Sequence, residues 1–252
     1  MPEVAPHIIA LLGVVGFVAG FVDAIAGGGG LLTLPSLLIA GLPPHLALGT
    51  GKGQAVFGSG VSLLRFYHSP LLDRRRAWAS GIAGFIGSAV GVVLVQYIAP
   101  EALRPLITAL LLAVAIFMIV YRPKAIPRPR VDRPWWLAGV VALLLGFYDG
   151  FFGPGTGTLL IVAYLLLWRD ALDAASANAK VANFASNVAG VVLFGAAGLV
   201  VWPIALAMGA GQALGGYLGA HVTIRRGHRL VRIGVVLVSV ALVVRLIWQM
   251  LE

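Results

Sequence analysis

Four ionisable side chains lie inside apolar segments of the chain and raise the question of what chemistry they perform. Asp23 lies in GFVDAIAGGGG, Asp149 in GFYDGFFGPGT, and Lys52 and Lys180 in two further segments rich in small residues. The remaining acidic residues and the third lysine fall in predicted loops, segment ends or tails: Glu3, Asp73, Glu101, Asp132, Asp170, Asp173, Glu252 and Lys124. A charge at the centre of a bilayer costs about 2.5 to 3.5 kcal/mol, so residues placed there usually serve a function.

Each aspartate is followed by a glycine-rich stretch that must interrupt its helix. Glycine lets the backbone turn sharply and come close to a ligand. A short helix that begins after such a break presents unpaired N–H groups and the positive end of its dipole, which predicts an anion site. Valine at Gly29 or Gly155 should then block the ligand while leaving expression mostly intact. The predicted cradle consists of Gly27, Gly28, Gly29 and Gly30 after Asp23, and of Gly153, Gly155, Thr156 and Gly157 after Asp149.

The segments that carry the lysines also carry a stripe of polar residues. Lys180, Asn183 and Asn187 are spaced i, i+3, i+7 and share one helix face, and Lys52 and Ser59 repeat the first and last of them. We interpret this stripe as a ligand wall. Asparagines can instead join helices, and pairs Asp23–Lys52 and Asp149–Lys180 could be simple struts. Weaker candidates, whose angular positions differ, are Thr50, Gln54, Asn178 and Gln212.

The composition places these residues in a membrane protein. The chain is 60% hydrophobic and 11% charged, with a mean hydropathy of +0.98, whereas soluble domains carry about 25% charged residues. Apolar runs of roughly the 20 residues needed to cross a bilayer recur along it. We predict an all-α polytopic membrane protein. The lack of cysteine excludes thiol chemistry, and the net charge of +9 suits arginine-rich cytoplasmic loops better than nucleic-acid binding.

The sequence contains two copies of one unit. Asp149 follows Asp23 by 126 residues, and from Lys52 onwards matching residues lie 128 apart. In each copy the second of five segments is short, which suits a half-helix or re-entrant element. Glycines at small-xxx-small spacing predict close helix packing: Gly84, Gly87 and Gly91, and Gly211, Gly215 and Gly219. The predicted segments are 7–26, 31–41, 46–67, 75–98 and 102–121, then 135–152, 157–168, 172–196, 202–223 and 229–250.

Loop charge predicts how these segments cross the membrane. Three arginine-rich stretches, 65–76, 122–133 and 225–232, are expected in the cytoplasm, whereas 40–45 and 195–203 contain no Lys or Arg. Both termini are then periplasmic, and each copy crosses an odd number of times, so the two copies are inverted repeats. The predicted organisation is a first transmembrane repeat at 1–121, a basic cytoplasmic linker at 122–134 and a second repeat at 135–252.

The double motif resembles the TauE/SafE family of membrane permeases over about residues 8 to 250. The resemblance rests on GFVDAIAGGGGLLTLPSLL, ALGTGK and GFYDGFFGPGTGT with NAKVANFASNVAG. It implies export of sulfite, sulfoacetate or related sulfur anions from bacteria. In that pattern asparagine often replaces Gly51 or Gly53, so the wall of the first copy is less polar here than that of the second.

Together these observations predict a secondary transporter in the bacterial inner membrane that exports a small anion such as sulfite, sulfoacetate or a related organosulfonate. No enzyme constellation, cofactor or metal site is expected, and the partners are the anion, the lipid bilayer and a possible second copy of the chain. Asp23 and Asp149 are the expected ion-coupling residues. Lys180→Met should weaken anion binding about ten- to a hundredfold, and Lys52→Met by a similar or smaller amount. The alternatives are a cation or metal-ion permease that uses both aspartates as ligands, and a non-transporting membrane sensor or scaffold.

Overall fold

The computed structural model describes residues 5–120, 131–226 and 248, and the regular structure in these ranges is helical throughout, as predicted. The first nine predicted segments each correspond to one helix, with ends that agree to within a few residues. The tenth, 229–250, and both chain termini lie outside the described residues. The helices are α1 (Pro6–Ala26), α2 (Gly30–Ile39), α3 (Pro44–Tyr67), α4 (Arg74–Val95), α5 (Pro100–Val120), α6 (Trp135–Phe151), α7 (Thr156–Leu167), α8 (Leu172–Ala196) and α9 (Trp202–Arg226).

The surface and the interior have the polarity of a membrane protein. Of the described helices, four are long and apolar enough to cross a membrane, at 6–25, 74–95, 100–118 and 172–196. Large apolar side chains such as Leu11, Ile82 and Leu144 are exposed, while many polar ones are buried. This inverted distribution fits an environment in which the outer surface contacts lipid and polar groups must find partners inside.

One face of the molecule is formed by the loops that join α3 to α4 and α7 to α8. Arg76, in the first turn of α4, connects them through the carboxylates of Asp73 at 3.0 Å and Asp170 at 2.7 Å. The approach to α6 lies on the same face, because the N–H of Val131 donates to the carbonyl of Trp168 at 2.9 Å. We call this the arginine face, since it also contains Arg65, Arg74, Arg75, Arg133 and Arg169.

The opposite face is formed by the loops that join α2 to α3 and α8 to α9. The N–H of Val201 donates to the hydroxyl of Thr50 at 3.0 Å, which ties the start of α9 to the start of α3. His45 bonds the carbonyl of Val95 at 3.2 Å, so α4 ends here and α5 begins nearby. It follows that α3 runs from the opposite face to the arginine face, and α8 runs the other way.

The two short helices re-enter rather than cross. Helices α1 and α9 run parallel, since Gly16 packs on Met208 and Gly215 packs on Phe17, so α1 begins on the opposite face, where α2 also ends. In the same way α6 runs parallel to α4, with Gly150 packed on Ser88. The start of α6 and the end of α7 therefore both lie on the arginine face. Each helix–break–helix unit therefore enters the molecule and returns to the side it came from.

Glycines permit the close approach of these parallel helices, as their spacing predicts. A Cβ on Gly87 would lie 2.1 Å from the carbonyl oxygen of Leu143, and one on Gly215 would lie 2.0 Å from that of Phe17. No side chain larger than hydrogen fits at such distances, so the backbones of α4 and α6, and of α9 and α1, are in direct contact.

The helices form two bundles that exchange one member between the halves of the sequence. The first bundle contains α1, α2, α3 and α9, and the second contains α4, α6, α7 and α8. Helix α9 thus packs with helices from the first half of the chain, and α4 with helices from the second half. The main contact between the bundles is α3 against α8, which cross in opposite directions at the centre of the molecule.

Candidate functional site

The two glycine breaks meet where the bundles join. The N–H of Thr158 donates to the carbonyl of Gly27 at 3.2 Å. Gly27 has a left-handed backbone with a φ of 74°, and a Cβ added to it would lie 2.2 Å from the carbonyl carbon of Gly157. Gly30 also packs closely, because a Cβ added to it would lie 2.9 Å from the Cα of Pro154. The two breaks can cross only because glycine occupies both sides of the contact.

A polar cavity lies beside this crossing. About 60 Å³ of it is open to the centres of water molecules, which is room for roughly four waters. Both re-entrant helices direct their N-terminal ends at it, through Gly30 of α2, and through Gly157 of α7 and Gly155, the residue just before α7. The backbone N–H groups of Gly30 and Gly157 have no hydrogen-bond partner in the part of the chain that the structure describes. The cavity therefore receives the positive ends of two helix dipoles, each worth roughly half a charge.

Lys52 and Asp149 form the ion pair on one side of the cavity, with Nζ 2.9 Å from Oδ1. Lys52 also donates to the side-chain oxygen of Asn187 at 3.4 Å, and Ser186 donates its hydroxyl to the other oxygen of Asp149. Gly190 leaves room for the lysine chain, since its Cβ would lie 2.8 Å from the Cγ of Lys52. Both aspartate oxygens are thus occupied, while the lysine still lines the cavity.

Lys180 and Asp23 form the second ion pair, with Nζ 2.5 Å from Oδ2. Lys180 also donates to the backbone carbonyl of Asp23 at 2.7 Å. Asp23 lines the cavity and its side chain is 15% exposed, whereas Lys180 is only 2% exposed and is not among the lining residues. Lys180 therefore binds Asp23 on the side away from the cavity and does not itself face the cavity.

Both ion pairs connect the two halves of the chain. The alternative of struts within each copy, Asp23–Lys52 and Asp149–Lys180, is wrong, because each lysine contacts the aspartate of the other copy. The physical reason is the antiparallel crossing of α3 and α8, which carries each lysine across to the opposite break. Both pairs also join the first bundle to the second.

Several other residues predicted from the sequence line the same cavity. In addition to the two aspartates and Lys52, the predicted residues on its surface are Gly27, Gly30, Gly153, Gly155, Gly157, Gln54, Asn183 and Asn187. The arrangement brings the cradle and most of the polar stripe together, so a ligand there would contact both. Their roles in binding stay predictions.

The structure places the remaining predicted residues away from the cavity surface. Thr50 accepts the N–H of Val201 and so fixes a loop. Asn178 accepts from the N–H of Asp73 at 3.1 Å and orders the α3–α4 loop. Thr156 returns its hydroxyl to the carbonyl of Gly153 at 2.7 Å. Ser59 accepts from Asn187 at 3.3 Å and supports the wall from behind. Gly28 and Gly29 are also not among the lining residues.

The expectation that valine at Gly29 or Gly155 spares the fold is wrong. A Cβ on Gly29 would lie 2.6 Å from the carbonyl oxygen of Ala19. One on Gly155, which has a φ of 83°, would lie 2.3 Å from Cγ1 of Val114. Both positions are closed by neighbouring protein and not by the ligand space, so these substitutions test packing rather than binding.

Sequence reasoning missed Ser186 and undervalued Gln212. The residue that matches Ser186 in the first copy, 128 positions earlier, is Gly58. This difference between the copies is the signal that could have identified Ser186. Gln212 was set aside on its angular position, although it lines the cavity and is only 3% exposed. Among the described residues, no three His, Asp or Glu side chains are grouped closely enough to hold a metal ion.

The fold and the site define an all-helical membrane protein with broken helices and a polar cavity at its centre. The chain belongs to the TauE/SafE family, because a family profile described as "Sulfite exporter TauE/SafE" matches residues 12–246. It is 40% identical to a "Probable membrane transporter protein" of Haemophilus influenzae, over 98% of this chain and 97% of that protein.

Two further relatives have similar coverage. The chain is 35% identical to "Probable membrane transporter protein ORF9" of a Sinorhizobium species, over 98% of this chain and 95% of that one. It is also 35% identical to "Probable membrane transporter protein YfcA" of Escherichia coli K12, over 98% and 92%. No solved structure matches the chain. The family and these relatives are membrane transporters, which confirms that the chain is not an enzyme.

Proposed function

We propose that this protein is a secondary transporter that exports a small oxyanion, namely sulfite, sulfoacetate or a related organosulfonate, across the bacterial inner membrane. The observation that carries the proposal is the meeting of Lys52 with the first turns of α2 and α7 at one cavity. A lysine ammonium and two helix N-termini supply positive charge and N–H donors, which is what an oxyanion needs once it leaves water.

The size of the cavity favours the smaller members of this class. Room for roughly four waters corresponds to sulfite, which has one sulfur and three oxygens. Sulfoacetate carries twice as many heavy atoms and would need a wider state of the same site. Asn183 and Asn187, on the cavity wall, can donate to oxygens that the backbone does not reach.

The two bundles support alternating access as the transport mechanism. They meet along α3 and α8 and at the glycine crossing, and two ion pairs join them. An anion that competes with Asp149 for Lys52 would weaken one of these joints and ease the movement of one bundle against the other. Helix α1 packs on α9, and its counterpart in the second copy, α6, packs on the counterpart of α9, which is α4. Inverted repeats at 1–121 and 135–252 would produce this pair of matching contacts.

The rival function, a cation or metal-ion permease that uses both aspartates as ligands, receives less support. Both oxygens of Asp149 are taken by Lys52 and Ser186. A lysine on the cavity surface would also repel a cation from the centre of the site. A sensor or scaffold would not need a buried cavity lined by charged groups, whose burial costs free energy.

Transport can be tested with purified protein in liposomes loaded with radiolabelled sulfite. We expect efflux faster than from protein-free liposomes, competition by sulfoacetate, and a strong reduction in Lys52→Met. Competition by divalent cations instead of oxyanions would favour the rival permease. Efflux no faster than from protein-free liposomes, with correctly folded protein, would contradict the proposed function.

A further inference from the structure

The surroundings of Asp23 contain two buried amide groups whose oxygens lack hydrogen-bond partners among the described residues. Gln54 and Gln212 are 1% and 3% exposed, and both line the central cavity together with Asp23. The side-chain oxygen of each has no hydrogen-bond partner in the part of the chain that the structure describes. A buried carbonyl oxygen without a hydrogen-bond partner is unfavourable. Two such oxygens on one cavity wall therefore indicate a missing ligand that binds to oxygen lone pairs.

The three side chains come from three helices that meet in the first bundle. Asp23 lies in the last turn of α1, Gln54 on α3 and Gln212 on α9. Gln212 inserts between α1 and α3, because glycines on both helices leave space for it. A Cβ on Gly20 would lie 2.7 Å from its Cγ, and one on Gly58 would lie 2.6 Å from the same atom.

The matched place in the other half of the chain has no such group. Residues 128 positions from Gln54 and Gln212 are Ala182 and Gly84, which pack directly together, with 3.1 Å from a Gly84 Cβ to the Ala182 carbonyl oxygen. There the second oxygen of Asp149 is bonded by Ser186. Among the described residues, only Lys180 bonds a side-chain oxygen of Asp23, and Asp23 remains partly exposed to the cavity. The site around Asp149 is closed, whereas the site around Asp23 contains two buried amide oxygens that have no hydrogen-bond partner among the described residues.

We propose that Asp23, Gln54 and Gln212 bind a small monovalent cation such as Na⁺, held beside the transported anion. Carboxylate and amide oxygens are the ligands that hard cations prefer. Asp23 also lies at the C-terminal, negative end of the α1 dipole, which attracts positive charge. The single carboxylate is already half-neutralised by Lys180, which favours one positive charge over two. A proton on Asp23 could serve only one of the amide oxygens, whereas a cation can take several oxygen atoms as ligands at once.

Charge balance gives the cation a role in transport, and this part of the inference rests on the proposed function. The formal charges of the two ion pairs, Asp149 with Lys52 and Asp23 with Lys180, sum to zero. An anion that enters the cavity therefore brings an uncompensated negative charge into the membrane interior. A bound monovalent cation offsets one unit of that negative charge and lowers the cost of its burial. By linkage, each ligand should then raise the affinity of the other by the same factor.

The cation site can be tested without any substrate, by thermal unfolding of the purified protein while sodium chloride replaces choline chloride at constant ionic strength. We expect a saturable rise of the unfolding temperature with sodium alone. Gln54→Leu and Gln212→Leu should weaken this sodium response about ten- to a hundredfold. In choline they should be at least as stable as the parent, because an unpaired buried amide is removed.

Gln96→Leu is the matched control, because Gln96 lies outside the cavity and bonds the carbonyl of Val92 at 3.0 Å. It should leave the sodium response unchanged. Equal effects of sodium and choline, or full sodium affinity in both glutamine variants, would overturn the cation site. So would a stabilisation that follows pH in the absence of sodium, since that result would assign Asp23 to a proton.

Calorimetry with sulfite in sodium and in choline separates this inference from the proposed function. We expect tighter sulfite binding in sodium, and loss of that difference in Gln212→Leu. Sulfite binding that is equally tight in both salts would retain the transporter and overturn the cation as its co-ligand. Sodium binding without sulfite binding in either salt would support the cation site and contradict the proposed anion.

Discussion

Asp23 and Asp149 hold matching places in the two copies but have different surroundings. Asp149 is 2% exposed and has both oxygens bonded, whereas Asp23 is 15% exposed and faces the cavity. Buried ion pairs tolerate the loss of one partner poorly, because the other charge is then left uncompensated. Asp149 therefore serves best as a fixed anchor for Lys52, and Asp23 is the stronger candidate for ion coupling.

The hydroxyl of Ser186 should contribute more to stability than an ordinary buried hydroxyl. Hydrogen bonds to a charged group are worth about 1.5 to 3 kcal/mol, against about 0.5 to 1.5 for neutral ones. Ser186→Ala should therefore lower the free energy of unfolding by the larger amount. Ser62→Ala, which removes a bond from a buried hydroxyl to the carbonyl of Gly216 at 3.3 Å, is the control. Equal losses in both variants, measured by thermal unfolding, would argue against the Ser186–Asp149 bond.

The ionisable residues of the site were predictable from the sequence, but their pairing was not. Asp23, Asp149, Lys52 and Lys180 stood out because charges are rare in apolar segments. The repeat suggested that each aspartate pairs with the lysine of its own copy. Because α3 and α8 cross, each aspartate pairs with the lysine of the other copy instead. Gln54 and Gln212 break the symmetry between the copies, so a search for matched residues could not give them weight.

At the scale of helices, the packing is decided by glycine. Small-xxx-small spacing correctly predicted that α4 and α9 approach a neighbour closely. It could not name the neighbour, because the parallel partners α6 and α1 lie far away in sequence. The helix bounds themselves followed from the length of the apolar runs and from glycine and proline at their ends.

Two glycines on α3 provide a matched test of this packing. A Cβ on Gly49 would lie 2.0 Å from the carbonyl oxygen of Leu199, whereas one on Gly51 would find only Leu37 at 3.9 Å. Gly49→Ala should therefore lose about 1 to 3 kcal/mol or more through overpacking. Gly51→Ala should be neutral or gain up to about 1 kcal/mol from helix propensity. Equal unfolding temperatures for the two variants would contradict the close contact between α3 and the α8–α9 loop.

At the scale of the whole molecule, charge separates the two faces. The arginine face contains the α3–α4 and α7–α8 loops, while the loops at 40–43 and 197–201 on the opposite face contain no Lys or Arg. This distribution supports the predicted orientation, with the arginine face in the cytoplasm. The termini and most of the linker lie outside the described residues, so their sides stay predictions.

The orientation can be tested with single cysteines, because the natural sequence has none. Ala197 on the opposite face and Arg75 on the arginine face are both exposed. An impermeant thiol reagent added to intact cells should label Ala197→Cys and spare Arg75→Cys, and both should react after the membrane is opened. The reverse pattern would invert the topology and place the arginine face outside.

The central claim is that Lys52 and the two helix N-termini hold the anion, and the two lysines allow a direct test of it. Each lysine belongs to one buried ion pair, so Lys52→Met and Lys180→Met should both destabilise the fold, but only Lys52 lines the cavity. Calorimetry with sulfite should show a loss of affinity of about ten- to a hundredfold in Lys52→Met and a smaller one in Lys180→Met. This order reverses the expectation drawn from the sequence. Unchanged sulfite affinity in Lys52→Met would contradict the account.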